Sequence, residues 1–375
     1  MKAIYAFKQT ERSVYDLALD YVNDAFKPDL NSMVPQNLLK LEGLRKLAVL
    51  EFEESFKKNV EPTDVEIPIE AREAARKAIH IYNEKVKSEK NRLSKNVVIE
   101  VEDLYKKYLQ ILILIRHLAE MGKDDEESRL LKNDMINYGR LSTNGVVIAL
   151  NELAELDVQR IKHNADWKTD HLLIVRQFYQ DVLRPDKTFK EYCIKATQNF
   201  QDDVEIIAYI YKVLVFRGAL MKEFFEEKDI NWTENSSVIR SLILKTIDVE
   251  NPQSVNLQKL AYNWEDDKKF FIDLYKKTME MDQEYEEEIL AKITNWEADR
   301  VALMDLIIMK LALTELVNFP SIPVKVTINE YIDLAKSYST PQSGKFVNGV
   351  LDYFAIEWSA SGKIKKSGRG LIDNR

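Results

Sequence analysis

Apolar residues recur along this chain at intervals of three and four, the spacing that lines one face of an α-helix. Residues 1–27 form one amphipathic stretch, stopped by Pro28. A second covers about 34–58, with Leu38, Leu41, Leu44 and Leu47 three apart. Residues 61–68 hold two prolines and predict a loop. Helical patterns return over 70–89, 101–121 and 146–163, and Gly122-Lys123-Asp124-Asp125 is expected to end the second of these. Residues 167–183 predict a helix that stops at Arg184, because the residue before a proline disfavours the helical basin. Shorter helices follow over 189–200 and 204–225. Thr233 is placed to cap one that ends near Asp248, and 264–289 is a charged helix with a wet outer face. No segment alternates with period two for long enough to predict a strand. The expected fold class is all-α, with about a dozen helices of three to four turns each.

The last third is the most informative. Residues 300–317 are apolar nearly all round, which marks a central buried helix, interrupted by Asp305 and Glu315. Phe319-Pro320-Ser321-Ile322-Pro323 predicts a rigid turn, and a shorter helix then runs to about Tyr338 with Ile328, Ile332 and Ala335 on one face. Thr340 followed by Pro341 reads as a hydroxyl cap and a proline at the first helical position. At ~100° per residue, Val347, Val350, Leu351 and Phe354 point inward, and Lys345, Asn348 and Asp352 fall opposite. Phe346 and Tyr353 lie at the edge, with Gly349 leaving a gap beside them. A helix N-terminus with free N–H groups, a lysine, an amide and an edge aromatic suits a nucleotide.

Composition narrows the classes. The chain has 375 residues, 45% hydrophobic and 31% charged, with only 10 glycines and 9 prolines, which favours long helices. Cys193 is the single cysteine, so a disulfide framework and a cysteine-based zinc site within one chain are excluded. The four histidines lack metal-ligand spacing, and no cofactor is expected. Met1-Lys2-Ala3-Ile4-Tyr5 lacks the layout of a signal peptide, and the longest apolar run, Ile111 to Ile115, is too short to span a bilayer. A cytoplasmic protein is expected. A net charge of −8 argues against coating nucleic acid non-specifically but leaves room for a small local site.

Three runs stand at fixed spacing. They are Pro323 with Val324-Lys325-Val326-Thr327-Ile328-Asn329-Glu330, then Leu334-Ala335-Lys336-Ser337, then Lys345-Phe346-Val347-Asn348-Gly349-Val350-Leu351-Asp352. Together they resemble the C-terminal half of the NusB transcription antitermination family. Residues 308–316, ending in Glu315-Leu316, resemble the preceding family helix, and Lys2-Ala3-Ile4-Tyr5-Ala6-Phe7 resembles the first one. Phe178-Tyr179, Phe189-Lys190-Glu191-Tyr192, Leu244-Lys245-Thr246-Ile247 and the tail from Lys365 to Leu371 look like a longer version of the family. The expected division is a first helix, 1–27, docked on the C-terminal bundle; a helical extension of unknown role, 30–265; a NusB-like domain, 266–358; and a basic tail, 359–375.

The resemblance implies a function. NusB-like proteins pair with NusE, a small-subunit ribosomal protein, and bind boxA-type RNA within an RNA polymerase antitermination complex, notably during ribosomal RNA synthesis. It places Lys2, Tyr5, Gln342, Ser343, Lys345, Phe346 and Asn348 near RNA, and Asp299 and Asp305 toward the basic ribosomal partner. It also implies an arginine-rich arm just before the first helix, where this chain offers only Lys2, Lys8 and Arg12; the basic tail is expected to compensate in part. Several residues have a plainer alternative: Lys345 as a solvated lysine, Phe346 and Tyr5 as core aromatics, Asn348 and especially Asn329 as buried amides, Asp305 as half-exposed. Two other functions compete. One is a helical scaffold with a lapsed RNA site. The other is a module associated with ribosomal RNA methylation, but the Gly-rich cofactor loop and Pro-Cys motif of such an enzyme are absent. No enzyme activity, membrane contact or small-molecule substrate is expected.

Overall fold

The computed structural model describes residues 1–62, 66–132, 136–196, 199–293 and 301–372, without the side chains of 128–132. Among them are sixteen α-helices and no strand. In chain order they are α1 (Lys2–Asp24), α2 (Leu38–Lys58), α3 (Ile69–Leu112), α4 (Leu114–Lys132), α5 (Gly145–Glu152), α6 (Ala154–Lys162), α7 (Leu172–Gln177), α8 (Lys187–Ile194), α9 (Phe200–Tyr209), α10 (Ala219–Lys228), α11 (Trp232–Ile247), α12 (Trp264–Glu280), α13 (Asp282–Lys292), α14 (Leu303–Asn318), α15 (Val324–Tyr338) and α16 (Ser343–Ala360). No helix among the described residues is long and apolar enough to cross a membrane.

The chain divides into two units. One is made of Met1–Val98 and Glu265–Arg375, the other of Ile99–Trp264. The second unit has its own core, including Tyr108, Phe178, Phe189 and Tyr211. Six-residue π-helical segments, Phe178–Leu183 and Ile210–Val215, continue α7 and α9. The break expected near residues 90–100 falls instead at Ile113, between α3 and α4. Leu93 and Val98 keep the apolar stripe going. At the true break the buried Tyr211 hydroxyl donates to the Leu112 carbonyl at 2.8 Å, satisfying a group that the interruption frees. Gly122 does not end α4 as expected. A Cβ there would come within 2.6 Å of the Tyr138 carbonyl oxygen, so glycine serves close packing inside the helix. Thr233 lies inside the first turn of α11, and Asn231 holds the cap position instead.

The first unit holds two cores. Val14, Ala18 and Val22 of α1 pack with Leu44, Ala48 and Phe52 of α2 and with Ala71, Ala75 and Ala78 of α3. The other core surrounds α14, whose residues from Ile307 to Leu316 are all buried. Around it stand Tyr285 and Ile289 of α13, Ile328 and Tyr331 of α15, Val347, Leu351 and Phe354 of α16, and Ile4 and Phe7 of α1. Even Lys310 is 1% exposed in this helix. Its ammonium lies 2.6 Å from Asp282 and 2.5 Å from Glu286, and Asp282 also meets Lys8 of α1 at 2.6 Å. Burial alone would raise the Asp282 carboxyl, but Lys310 and Lys8 hold it below the usual range. Burial pulls Lys8 down less than Asp282 and Glu11 push it up, so it stays protonated beyond the ordinary lysine range.

The tail is docked as far as it is described. Lys363 sits 3.8 Å from the Trp358 ring centroid and 2.9 Å from Glu288. The Ser367 N–H donates to the Pro320 carbonyl at 2.9 Å, and Lys366 donates to the Phe319 carbonyl at 3.1 Å. Lys363 and Lys366 therefore have partners within the fold, while Lys365 and Arg369 are exposed.

Candidate nucleic-acid interface

The turn between α15 and α16 is organised by one hydroxyl. Ser343, 2% exposed, donates from Oγ to Asp305 Oδ2 at 2.7 Å. The same oxygen accepts the Thr340 N–H at 3.2 Å and lies 2.8 Å from Thr340 Oγ1 and 3.0 Å from Ser339 Oγ. This explains why Thr340 and Pro341 do not open the helix as expected: Thr340 is held in the preceding turn, and α16 starts at Ser343 behind Gln342. Nor are the first N–H groups all free. Ser343 donates to the Thr340 carbonyl, and Lys345 and Phe346 both donate to that of Gln342. A nucleotide here would meet side chains rather than a bare helix terminus.

The candidate residues sort by burial. Gln342 and Lys345 are exposed, and Lys345 has no ion-pair partner among the described residues. Phe346 is half-buried, packed on the α14 core. Asn348, also half-buried, donates from Nδ2 to Asp352 Oδ2 at 3.0 Å. On α1, Tyr5 is 38% exposed and Lys2 is half-buried, while Ile4 and Phe7 bring this turn into the core that holds Val347. Two residues are not where the resemblance put them. Ser343 is inside the fold, and Asp305, 5% exposed, faces it instead of a partner. The second oxygen of Asp305, Oδ1, is buried without a hydrogen-bond partner among the described residues. Asp299 and Arg375 lie outside the described residues. Asn329, expected as a buried amide, is exposed.

Behind this face, Glu315 ties α14 to α15. Its oxygens accept from Thr327 Oγ1 at 2.8 Å and from the Tyr331 hydroxyl at 3.0 Å. Burial pushes its carboxyl above the usual range, against the pull of those two hydroxyls. Gly344 lets α16 approach α15 closely: a Cβ would lie 2.9 Å from the Lys336 side chain. The reading of the residues alone missed Lys292, whose ammonium sits 4.7 Å from the Tyr353 ring centroid. The contact joins residues 61 positions apart (353 − 292), beyond any local pattern. No group of three or more metal-ligating side chains occurs among the described residues.

The model of the NusB family matches residues 238–355. The C-terminal part of this chain is a NusB-family domain. The match opens inside α11, in the second unit, and runs through α12 to α15 into α16 of the first. Among curated proteins, the transcription antitermination protein NusB of Salinibacter ruber is 47% identical over 68 residues, 18% of this chain and 42% of that protein. Its counterpart in Chloroherpeton thalassium is 48% identical over 66 residues, 18% of this chain and 31% of the relative. That of Dictyoglomus turgidum is 38% identical over 66 residues, covering 18% and 44%. The chain thus spans less than half the length of each of these relatives. No solved structure matches.

Proposed function

We propose that this protein is a cytoplasmic, non-enzymatic transcription antitermination factor that pairs with NusE and binds boxA-type single-stranded RNA, promoting read-through, notably of ribosomal RNA operons. The observation that carries this reading is the start of α16: an exposed lysine without an ion-pair partner beside a half-buried phenylalanine, inside a NusB-family domain. Single-stranded RNA is held by aromatic stacking, by hydrogen bonds to base edges and by cations at phosphates. Phe346, Asn348 with Gln342, and Lys345 offer those three contacts in turn, with Lys2 and Tyr5 of α1 as further contacts. Ser343 and Asp305 act by setting the turn that presents them. For the NusE contact the reading keeps Asp299, the acid that the family resemblance implies.

A helical scaffold with a lapsed RNA site is the second reading. It is favoured by the second unit, where α6 buries only Leu156 and leaves Val158 and Ile161 61% and 68% exposed. The test is a salt-dependent titration of the chain, with and without NusE, against a boxA-like oligonucleotide and a scrambled control. Preference for boxA supports the RNA reading. Equal binding of both strands removes it and leaves the scaffold.

A further inference from the structure

The exposed side of α16 continues past the residues assigned above. Seven positions after Phe346, about 10 Å along the axis, nearly the same direction carries Tyr353, 41% exposed. Between the two rings lies Gly349, where an added Cβ would meet nothing within 4 Å, so the helix surface is notched at that point. The Tyr353 ring is nevertheless fixed. It meets Phe354 edge-on with centroids 5.6 Å apart, and Lys292 Nζ sits 4.7 Å from its own centroid. Lys292 is held there by Glu357 at 3.6 Å. Packing does not require this ring, since the neighbouring Phe354, 1% exposed, fills the core at this turn.

Two oriented rings on one helix face are suited to a single strand, because every base has a π-face. A stacked strand advances roughly 3.4 Å per nucleotide, so the separation leaves room for one or two nucleotides over the Gly349 notch, where a backbone can approach closely. Lys345 flanks one ring and Lys292 the other, and both can meet phosphates. Asn348 and Asp352, bonded to each other at 3.0 Å, offer a donor and an acceptor to base edges between them. The competing occupant is a protein helix, since Ile356 is 74% exposed one turn on. The cation beside each ring favours the nucleic acid. Resting on the RNA reading of this face, we infer that Tyr353, with Lys292 against its ring, is a second base-stacking platform that carries the strand from Phe346 across Gly349 along α16.

The test titrates the full chain with NusE against boxA-like oligonucleotides lengthened one nucleotide at a time at either end. Phe346→Ala weakens binding at every length. Tyr353→Ala leaves the shortest binding strand unchanged and removes about 5- to 150-fold of the affinity that longer strands gain, the share of one stacked base. Tyr353→Trp keeps that gain. If Tyr353→Ala binds every length like the parent while Phe346→Ala stays weak, the second platform is overturned and the RNA reading stands. If the parent itself shows no preference for boxA, the RNA reading fails and the platform with it. If Tyr353→Ala lowers affinity for NusE in the absence of RNA and leaves RNA binding unchanged, the surface belongs to a protein and the inference is overturned.

Discussion

Lys345 and Phe346 divide the holding of a strand into two separately measurable parts. Replacing Phe346 with alanine should cost roughly 1–3 kcal/mol of boxA affinity, with little change in salt dependence, because stacking is not ionic. Replacing Lys345 with alanine should instead flatten the slope of log affinity against log salt by about 0.7, one phosphate contact on a single strand. Two parent-like titrations would remove this face from the RNA site. Glu315 makes a different prediction, about pH. Its carboxyl is raised by burial, so the folded protein holds that proton to higher pH than the unfolded chain does. The charged form therefore weakens the fold above the folded value, and the penalty fades as pH falls below the ordinary carboxyl range. Glu315→Gln has no such titration. Its melting temperature relative to the parent should rise between pH 4 and pH 7; a difference independent of pH would mean the carboxyl is not raised. Residue burial was partly legible beforehand. The inward set Val347, Leu351 and Phe354 follows from 100° geometry, and all three are buried. The Asp305–Ser343 bond was not legible, because it joins residues 38 positions apart on different helices.

Elements tell the same story with different causes. Regular helices announce themselves through their stripe, and the apolar run at 300–317 does become the buried α14. Helix ends are decided by competition. A hydroxyl followed by proline signals a start, yet Ser343 captures Thr340 and moves the start two residues on. A glycine followed by charges signals a stop, yet Gly122 packs against Tyr138 and α4 continues. The junction of α1, α13 and α14 allows a firm expectation. Lys310 is buried between Asp282 and Glu286, and Asp282 also meets Lys8. Asp282→Ala leaves a buried ammonium with one acid and releases Lys8. Breaking a buried pair in this way costs about 3–5 kcal/mol, which urea unfolding of the first unit would register. Because the Asp282 carboxyl is held low, its contribution is present above the ordinary carboxyl range and disappears as pH falls through the depressed value. A variant as stable as the parent at pH 7 would show that the network contributes nothing net.

At the scale of the molecule, one unit is continuous in sequence and the other is not. Residues 99–264 contain a core that no residue outside them is needed to complete. A fragment of those residues should therefore give a single cooperative thermal transition with helical circular dichroism; a gradual, featureless melt would show that it depends on the rest of the chain. The unit that carries the candidate site is built from both ends of the sequence, 1–98 and 265–375. Periodicity locates helices but not which distant ones meet, so only the resemblance pointed α1 toward the C-terminal bundle.

That division has a consequence for synthesis. Ile4 and Phe7 are made about 300 residues before Ile308 and Leu313, which share their core. At ~5–20 residues per second, the interval is roughly 15–60 s. Val14, Ala18 and Val22 find α2 and α3 early, so the middle of α1 is sheltered while its first two turns wait. The nascent chain thus carries an unburied apolar segment through that interval, and α16, the helix of the candidate site, is made only after α14 has closed it.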